Sequence, residues 1–85
     1  MEHCPCCGYK TLGRRGDYEI CPICFWEDDI GQEKDPGSIG GANKVSLREA
    51  QRNFMKFGAC DKESIKYVRK PLKTDVRDPI WKTAK

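Results

Sequence analysis

Long apolar runs are missing from this 85-residue sequence, and no stretch approaches the roughly 18 apolar residues that a membrane-spanning helix requires. The N-terminus, Met1-Glu2-His3-Cys4, has neither the basic nor the apolar segment of a secretory signal. Internal repeats and low-complexity segments are absent too. These absences predict one small domain in the cytoplasm, where thiols stay reduced.

Apolar residues are scarce for a self-sufficient core. Hydrophobic residues make up 38% of the chain and charged residues 34%. Since a domain this small buries only about 60–65% of its unfolded surface, we expect an additional source of stability: a bound metal, disulfides or a partner. The six cysteines could form three disulfides in an oxidising compartment. In a reducing compartment, their paired Cys-x-x-Cys spacing favours metal ligation.

The net charge of +3 conceals an uneven distribution. Residues 1–43 contain four basic and eight acidic residues, whereas residues 44–85 contain twelve basic and five acidic residues, giving −4 and +7. Four thiolates and one Zn²⁺ would make the first half more negative by about two charges. A polyanion is therefore expected to contact the second half and not the cysteine-rich end.

The cysteine-rich end has the pattern of a zinc ribbon. Residues 9–12 and 18–20 are predicted as the two strands of a hairpin, because turn residues lie between them. Residues 25–28 are predicted as a third strand, since aromatic residues suit a pleated surface. Residues 30–44 contain four glycines and one proline, so we expect a long loop without a helix.

Helix signals begin at Ser46, the expected N-cap. Apolar residues recur at helical spacing over 47–57, and Gly58 is expected to end the helix in a left-handed conformation. A shorter second helix is predicted over 61–69, with acidic residues early and basic residues late. Residues 71–85 carry only a weak pattern.

Two Cys-x-x-Cys pairs, separated by thirteen residues, are formed by Cys4, Cys7, Cys21 and Cys24. Each pair can bring two sulfurs to within about 2.3 Å of one ion, and two pairs provide the tetrahedral sulfur set that Zn²⁺ prefers. A proline after the first cysteine of each pair helps to bend the backbone around the ion. Because protein ligands fill all four positions, the sequence predicts one structural zinc ion and no catalytic site. Iron is the alternative, but rubredoxins separate such pairs much more widely.

Three further residues could take part in chemistry. Cys6 could be a spectator, an alternative ligand in place of Cys7, or a redox thiol. Cys60 is expected to be a small buried hydrophobic residue, with a thiol function as the alternative. His3 is expected to be exposed, because four cysteines complete the site and no third group identifies a Cys–His nucleophile pair.

Two surfaces are candidate partner sites. The candidate protein contacts follow the second cysteine pair and are Phe25, Trp26, Glu27, Asp28 and Asp29. Core packing of the aromatic residues and a solvated or cation-binding acidic patch are the alternatives. The candidate nucleic-acid contacts, basic residues interleaved with an aromatic ring, are Lys62, Lys66, Tyr67, Arg69 and Lys70. Acidic neighbours dilute this basic surface, so a solvated face is the alternative.

Several short sequence segments together resemble the bacterial cysteine-rich CPCC family. The first is Cys4-Pro5-Cys6-Cys7-Gly8-Tyr9, and the others lie within residues 15–29, 40–43, 45–51, 57–60 and 68–71, with Phe54 between them. The resemblance covers most of the chain. It implies a small zinc-ribbon-like protein, and it implies no substrate, catalytic residue or partner.

We therefore predict one small α+β domain over residues 1–85, made of a zinc ribbon (1–29), a Gly/Pro-rich loop (30–44), a helical segment (45–70) and a tail (71–85). The predicted function is that of a structural-zinc domain that acts as a protein-interaction or regulatory module, for example in toxin neutralisation, and not as an enzyme. A nucleic-acid-binding zinc ribbon is the first alternative, and a thiol redox protein is the second. Neither a membrane nor a small-molecule substrate is expected as a partner.

Overall fold

A two-stranded antiparallel sheet begins the computed structural model, which describes residues 1–84. Strand β1 (Glu2–His3) pairs with strand β2 (Lys10–Leu12), with a register irregularity between the two residues of β1. Strand β2 falls within a predicted strand, but β1 was not expected, because two residues are too few to show an alternating pattern.

The second and third predicted strands do not form. Ile20 and Glu27 make only an isolated antiparallel bridge. Tyr18 and Phe25 have φ angles of 56° and 70°, which are incompatible with an extended strand. The aromatic composition of the third segment suits a strand, but the turn that follows the second cysteine pair overrides this preference. The sheet therefore differs from the predicted three-stranded ribbon.

Helix α2 spans Leu47–Phe57, as the sequence predicts. The Ser46 Oγ accepts a hydrogen bond from the Glu49 N–H at 3.1 Å, which caps the first turn. Gly58 ends the helix with a φ of 82°. The buried residues of this helix are Leu47, Ala50 and Gln51. The chain is thus a small α+β fold, as predicted.

A short helix, α1 (Ile30–Lys34), lies in the segment that was predicted to lack a helix. Its N-cap is Asp29, whose Oδ1 accepts the Gly31 N–H at 2.9 Å and the Gln32 N–H at 3.2 Å. The Asp29 Oδ2 accepts the Ala42 N–H at 2.9 Å. One carboxylate therefore accepts hydrogen bonds from two N–H groups at the start of the helix and from the N–H of Ala42, further along the chain. These bonds outweigh the low helix propensity of the segment.

The glycine-rich loop, residues 36–44, closes around the buried side chain of Gln32. The Gln32 Nε2 donates to the Val45 carbonyl at 3.0 Å, and its Oε1 accepts from the Asn43 Nδ2 at 2.9 Å. Asn43 also bonds both backbone groups of Glu27, at 2.8 and 2.7 Å. These bonds fix the loop to α1 and to the segment after the second cysteine pair.

A 3₁₀ helix at Lys62–Tyr67 replaces the second predicted α-helix. Asp61 caps it by accepting the Ser64 N–H at 2.8 Å. It ends earlier than predicted, because Val68 is extended and the Arg69 N–H donates to the Pro22 carbonyl at 3.2 Å. This bond turns the chain towards the second cysteine pair.

Residues 76–84, which we call the C-terminal strap, pack against the first cysteine pair (Cys4 and Cys7). The Lys10 N–H donates to the Val76 carbonyl at 2.8 Å, and Tyr9 forms an isolated antiparallel bridge with Arg77. The weakly patterned tail of the sequence thus adds to the free edge of the sheet.

The hydrophobic core is built around the sulfur atoms. All six cysteines are buried in one cluster, together with Leu12, Ile23, Trp26, Leu47 and Ala50. Within residues 1–84, no helix combines the length and the apolar character needed to cross a membrane.

Candidate metal centre

The four cysteines predicted as ligands converge on one point. Their sulfur atoms all lie within 4.8 Å of one another, and all four residues are fully buried. The Cys4 and Cys24 sulfurs are 3.5 Å apart, and the Cys7 and Cys21 sulfurs are 3.8 Å apart. This cluster is able to hold a metal ion, with two ligands from each pair.

Each cysteine pair closes through the same backbone turn. The Gly8 N–H donates to the Cys4 carbonyl, and the Phe25 N–H donates to the Cys21 carbonyl, both at 2.8 Å. The residue after each pair is left-handed, with φ of 81° at Gly8 and 70° at Phe25. Glycine adopts this conformation freely, whereas phenylalanine does so at a cost of about 1–3 kcal/mol.

Cys6 and Cys60 lie outside the four-sulfur cluster, although both are buried. Cys7 completes the cluster, so the alternative register with Cys6 in its place does not form. Burial, together with the Asp61 and Cys6 charges, raises the pKa of Cys60 to about 12. A thiol with so high a pKa carries little thiolate at neutral pH, which argues against a redox role for Cys60.

Burial and mutual contact shape the electrostatics of the cluster. Burial raises the pKa of Cys4 and Cys24. The neighbouring thiols lower the pKa of Cys21, and the Thr11 hydroxyl, 3.1 Å from the Cys21 sulfur, lowers it further. The cluster thus favours a thiolate at Cys21, the form in which cysteine binds metals.

The candidate protein contacts divide into buried and accessible residues. Trp26 and Asp28 are fully buried, and Asp29 is 8% exposed. The Asp28 carboxylate accepts the Gly16 N–H at 2.7 Å and bonds the Arg15 guanidinium. Trp26 therefore packs in the core, which agrees with the alternative of core packing for the aromatic residues. The inward-facing Asp28 and Asp29 differ from both a contact surface and a solvated acidic patch.

Phe25 and Glu27 are half-buried and remain candidate contacts. The Phe25 ring stacks on Tyr67 at a centroid distance of 5.0 Å and an interplanar angle of 24°. This contact brings a residue of the candidate protein surface next to the candidate nucleic-acid surface.

The candidate nucleic-acid contacts are exposed, but not all of their charge is free. Lys62 and Lys66 project from the 3₁₀ helix, and the Lys66 ammonium lies 5.2 Å from the Tyr67 ring centroid. Arg69 donates to both Asp75 carboxylate oxygens, at 2.7 and 3.1 Å, and lowers the Asp75 pKa to about 2. The ion pair cancels the Arg69 charge. Lys70, the last predicted contact, is exposed beside it.

His3 was predicted to be exposed, but its Nδ1 lies 2.9 Å from the Asp78 carboxylate. Its side chain is only 24% exposed. The ring therefore joins β1 to the C-terminal strap, a contact that no local sequence signal could indicate.

These observations define a small α+β domain organised around a closed cluster of four cysteines. The chain belongs to the cysteine-rich CPCC family, whose family model, described as "Cysteine-rich CPCC", matches residues 2–75. The resemblance noted from the sequence is thereby confirmed. Among curated proteins, no significant match to this chain is found.

Sequence reasoning missed three contributors to the site. Thr11 lies ten positions before the cysteine that it contacts, so no short motif links them. Arg77 and Trp81 contact the first cysteine pair across about seventy residues of chain. Trp81 is the one aromatic residue of the tail, but the tail holds several other cations, so nothing in the sequence distinguished Arg77.

Proposed function

We propose that the four cysteines bind one structural Zn²⁺ and that the resulting domain acts as a protein-interaction module, not as an enzyme. The observation that carries the metal assignment is the convergence of four buried sulfurs. A tetrahedral Zn²⁺ site with bonds of about 2.3 Å places sulfurs about 3.8 Å apart. The separations of 3.5 and 3.8 Å support that geometry.

The chemistry of the site supports a structural role. When bound, Zn²⁺ would cross-link residues 4–7 to residues 21–24 through four thiolates, which leaves no position for water or a substrate. Such a cross-link suits a chain whose core consists largely of cysteine side chains. The contribution of structural zinc, about 10–16 kcal/mol in small peptides, is comparable to the whole stability of a domain.

Metal removal tests this proposal. We expect one zinc ion per purified chain by elemental analysis, no visible absorption of the kind iron gives, and loss of near-UV circular dichroism on chelation, because residues 1–29 lose their cross-link. Re-addition of Zn²⁺ is expected to restore the signal. A chain that retains its aromatic dichroism after complete metal removal would contradict a structural role.

Thr11 provides a finer test of the metal assignment. Replacing Thr11 with valine keeps the shape of the side chain but removes the hydroxyl bond to the Cys21 sulfur. We expect the Zn²⁺ affinity, measured by competition with a chromophoric chelator, to fall about tenfold, as is typical when a group that hydrogen-bonds a ligand is removed. Thr11→Ser retains a hydroxyl and is the control; equal affinities for the valine and serine variants would refute this role.

The interaction surface that we propose is a groove of about 700 Å³ between the 3₁₀ helix and residues that flank the second cysteine pair, with residues 42–44 along one side. Its apolar wall consists of Ile20, Phe25, Ile65 and Tyr67. Three of these side chains remain 45–59% exposed, namely Ile20, Ile65 and Tyr67. The positive φ of Phe25 supports a role for this wall, because a strained residue is retained where its side chain is needed.

The charges of the groove favour a protein over a nucleic acid. Three lysines and three acidic residues line it, so its formal charge is balanced. One ion pair, between Lys44 and Glu63, joins side chains that are both largely exposed. Phosphate backbones require an excess of positive charge, whereas mixed charges around apolar side chains are typical of protein interfaces.

Site-specific cross-linking tests the proposed surface. A photoreactive amino acid at Ile65, in the groove, is expected to capture a specific protein in cells, whereas the same amino acid at Met55 is not. Met55 is a suitable control because it is 74% exposed and does not line the groove. A salt-dependent mobility shift of nucleic acid, without cross-linking to protein, would favour the nucleic-acid alternative instead.

A further inference from the structure

Two side chains of the C-terminal strap (76–84) donate hydrogen bonds to the backbone of the first cysteine pair. The Arg77 Nε donates to the Cys7 carbonyl at 2.9 Å. The Trp81 Nε1 donates to the Pro5 carbonyl at 2.8 Å. The strap thus contacts both the interior and the end of the Cys4–x–x–Cys7 turn.

Backbone bonds and ring contacts reinforce this attachment. The Asp78 N–H donates to the Gly8 carbonyl at 2.8 Å. The Arg77 guanidinium lies 4.8 Å from the Trp81 ring centroid and 5.3 Å from that of Tyr9. A cation between two rings contributes attraction beyond simple packing.

The far end of the strap is fixed to helix α2. The Ala84 N–H donates to the Gln51 Oε1 at 2.7 Å, and the Gln51 Nε2 donates to the Pro5 carbonyl at 2.8 Å. The Pro5 carbonyl therefore accepts bonds from both Gln51 and Trp81. Strap, helix and cysteine pair form one connected hydrogen-bond network.

We propose that the C-terminal strap controls the exchange of the bound metal, because it must detach before Cys4 and Cys7 can yield the ion to another ligand. Both thiols are fully buried, and the strap bonds the carbonyls of Pro5, Cys7 and Gly8 around them. This inference rests on the proposed zinc site. The family model matches residues 2–75, so the strap lies outside the matched region.

The strap can detach without unfolding the domain. Residues 69–74, which lead into it, are exposed. Segments with exposed backbone and few buried contacts open with low free energy, separately from the core. Opening of the strap would free the first cysteine pair while the second pair stays bonded to residues 60 and 69 through the Cys24 and Pro22 carbonyls.

Metal release into excess chromophoric chelator tests the proposal on the zinc-loaded full chain. Arg77→Ala and Trp81→Ala are each expected to raise the first-order release rate about tenfold or more, by analogy with other groups that support metal ligands. Ile80→Ala is the matched control, since Ile80 is 77% exposed within the same strap, and is expected to leave the rate unchanged. Trp81→Phe keeps an aromatic ring but removes the indole N–H that bonds the Pro5 carbonyl, and is expected to raise the release rate by less than Trp81→Ala.

Two measurements separate strap opening from general destabilisation. Hydrogen exchange of the Lys10 N–H, which bonds Val76, is expected to accelerate in the strap variants, while the Cys4 N–H, which bonds Tyr9, stays protected. Ser46→Ala removes the α2 cap and weakens the whole fold without touching the strap.

If Ser46→Ala releases the ion as fast as Arg77→Ala, or if the strap variants release it at the native rate, the strap proposal is overturned. If the native chain binds no ion, the proposed zinc site and the strap proposal fail together.

Discussion

Replacing Cys24 with serine is expected to abolish stoichiometric zinc binding and to unfold the cysteine-rich end of the chain. Cys24 is fully buried, and its sulfur is 3.5 Å from that of Cys4. A serine hydroxyl is a poor zinc ligand, so three thiolates would remain and most of the roughly 10–16 kcal/mol of metal stabilisation would be weakened or lost. Metal content by elemental analysis and folding by near-UV circular dichroism measure the two effects.

Cys60→Ser is the matched control for this experiment. Cys60 is almost as deeply buried as Cys24 but lies outside the four-sulfur cluster. This variant is expected to bind one zinc ion per chain and to fold, with a modest loss of stability from burying a hydroxyl. The assignment would be wrong if both variants lost the metal equally, or if Cys24→Ser retained a full equivalent.

Gly8→Ala is expected to destabilise the domain much more than Gly58→Ala, although both glycines have nearly the same φ, 81° and 82°. A Cβ atom at Gly8 would lie 2.6 Å from the Trp81 ring, whereas a Cβ at Gly58 meets nothing within 4 Å. The shared conformational cost is about 1–2 kcal/mol, and the collision at Gly8 adds about 1–3 kcal/mol. Urea unfolding at a fixed free zinc concentration measures both losses.

The comparison of these two glycines isolates the packing of the strap. If Trp81 moves away to accommodate the new methyl group, Gly8→Ala is also expected to speed metal release, because the strap is displaced. Equal destabilisation by the two substitutions would mean that Trp81 does not pack on Gly8 in solution.

Local signals account for the parts of the fold that the sequence predicted. Helix α2 carries its own cap at Ser46, its apolar face and its terminating Gly58 within thirteen consecutive residues. The four-cysteine cluster was equally predictable, because the spacing within each pair matches what one metal ion requires. Both depend on short-range patterns that tertiary contacts did not override.

Long-range contacts account for what the sequence could not reveal. Helix α1 depends on Asp29, whose second oxygen is satisfied by Ala42, thirteen positions away. The predicted strand over 25–28 fails because Phe25 repeats, in the second cysteine pair, the left-handed turn made by Gly8 in the first. Composition alone could not show that a phenylalanine would adopt a conformation that favours glycine.

The burial of the candidate partner residues also depends on long-range contacts, so the sequence predicted it only in part. Asp28 was predicted to lie on the surface, and Trp26 either on a contact surface or in the core; both are fully buried. Asp28 is satisfied by Arg15 and Gly16, which precede it by more than ten positions. Burial of a carboxylate can be inferred only when its hydrogen-bond donors are known.

The polar network around Gln32 has a consequence for the response of the domain to ionic conditions. The amides of Gln32 and Asn43 do not titrate, and the Ala42 N–H lowers the pKa of Asp29, so that its carboxylate stays ionised well below neutral pH. Asp29 therefore stabilises the loop above its ordinary pKa and loses this effect only in strong acid. The exposed Lys44–Glu63 pair, by contrast, weakens as salt is added. The glycine-rich loop thus stays anchored to α1 as the pH falls, while the ion pair at the rim of the adjoining groove responds to ionic strength.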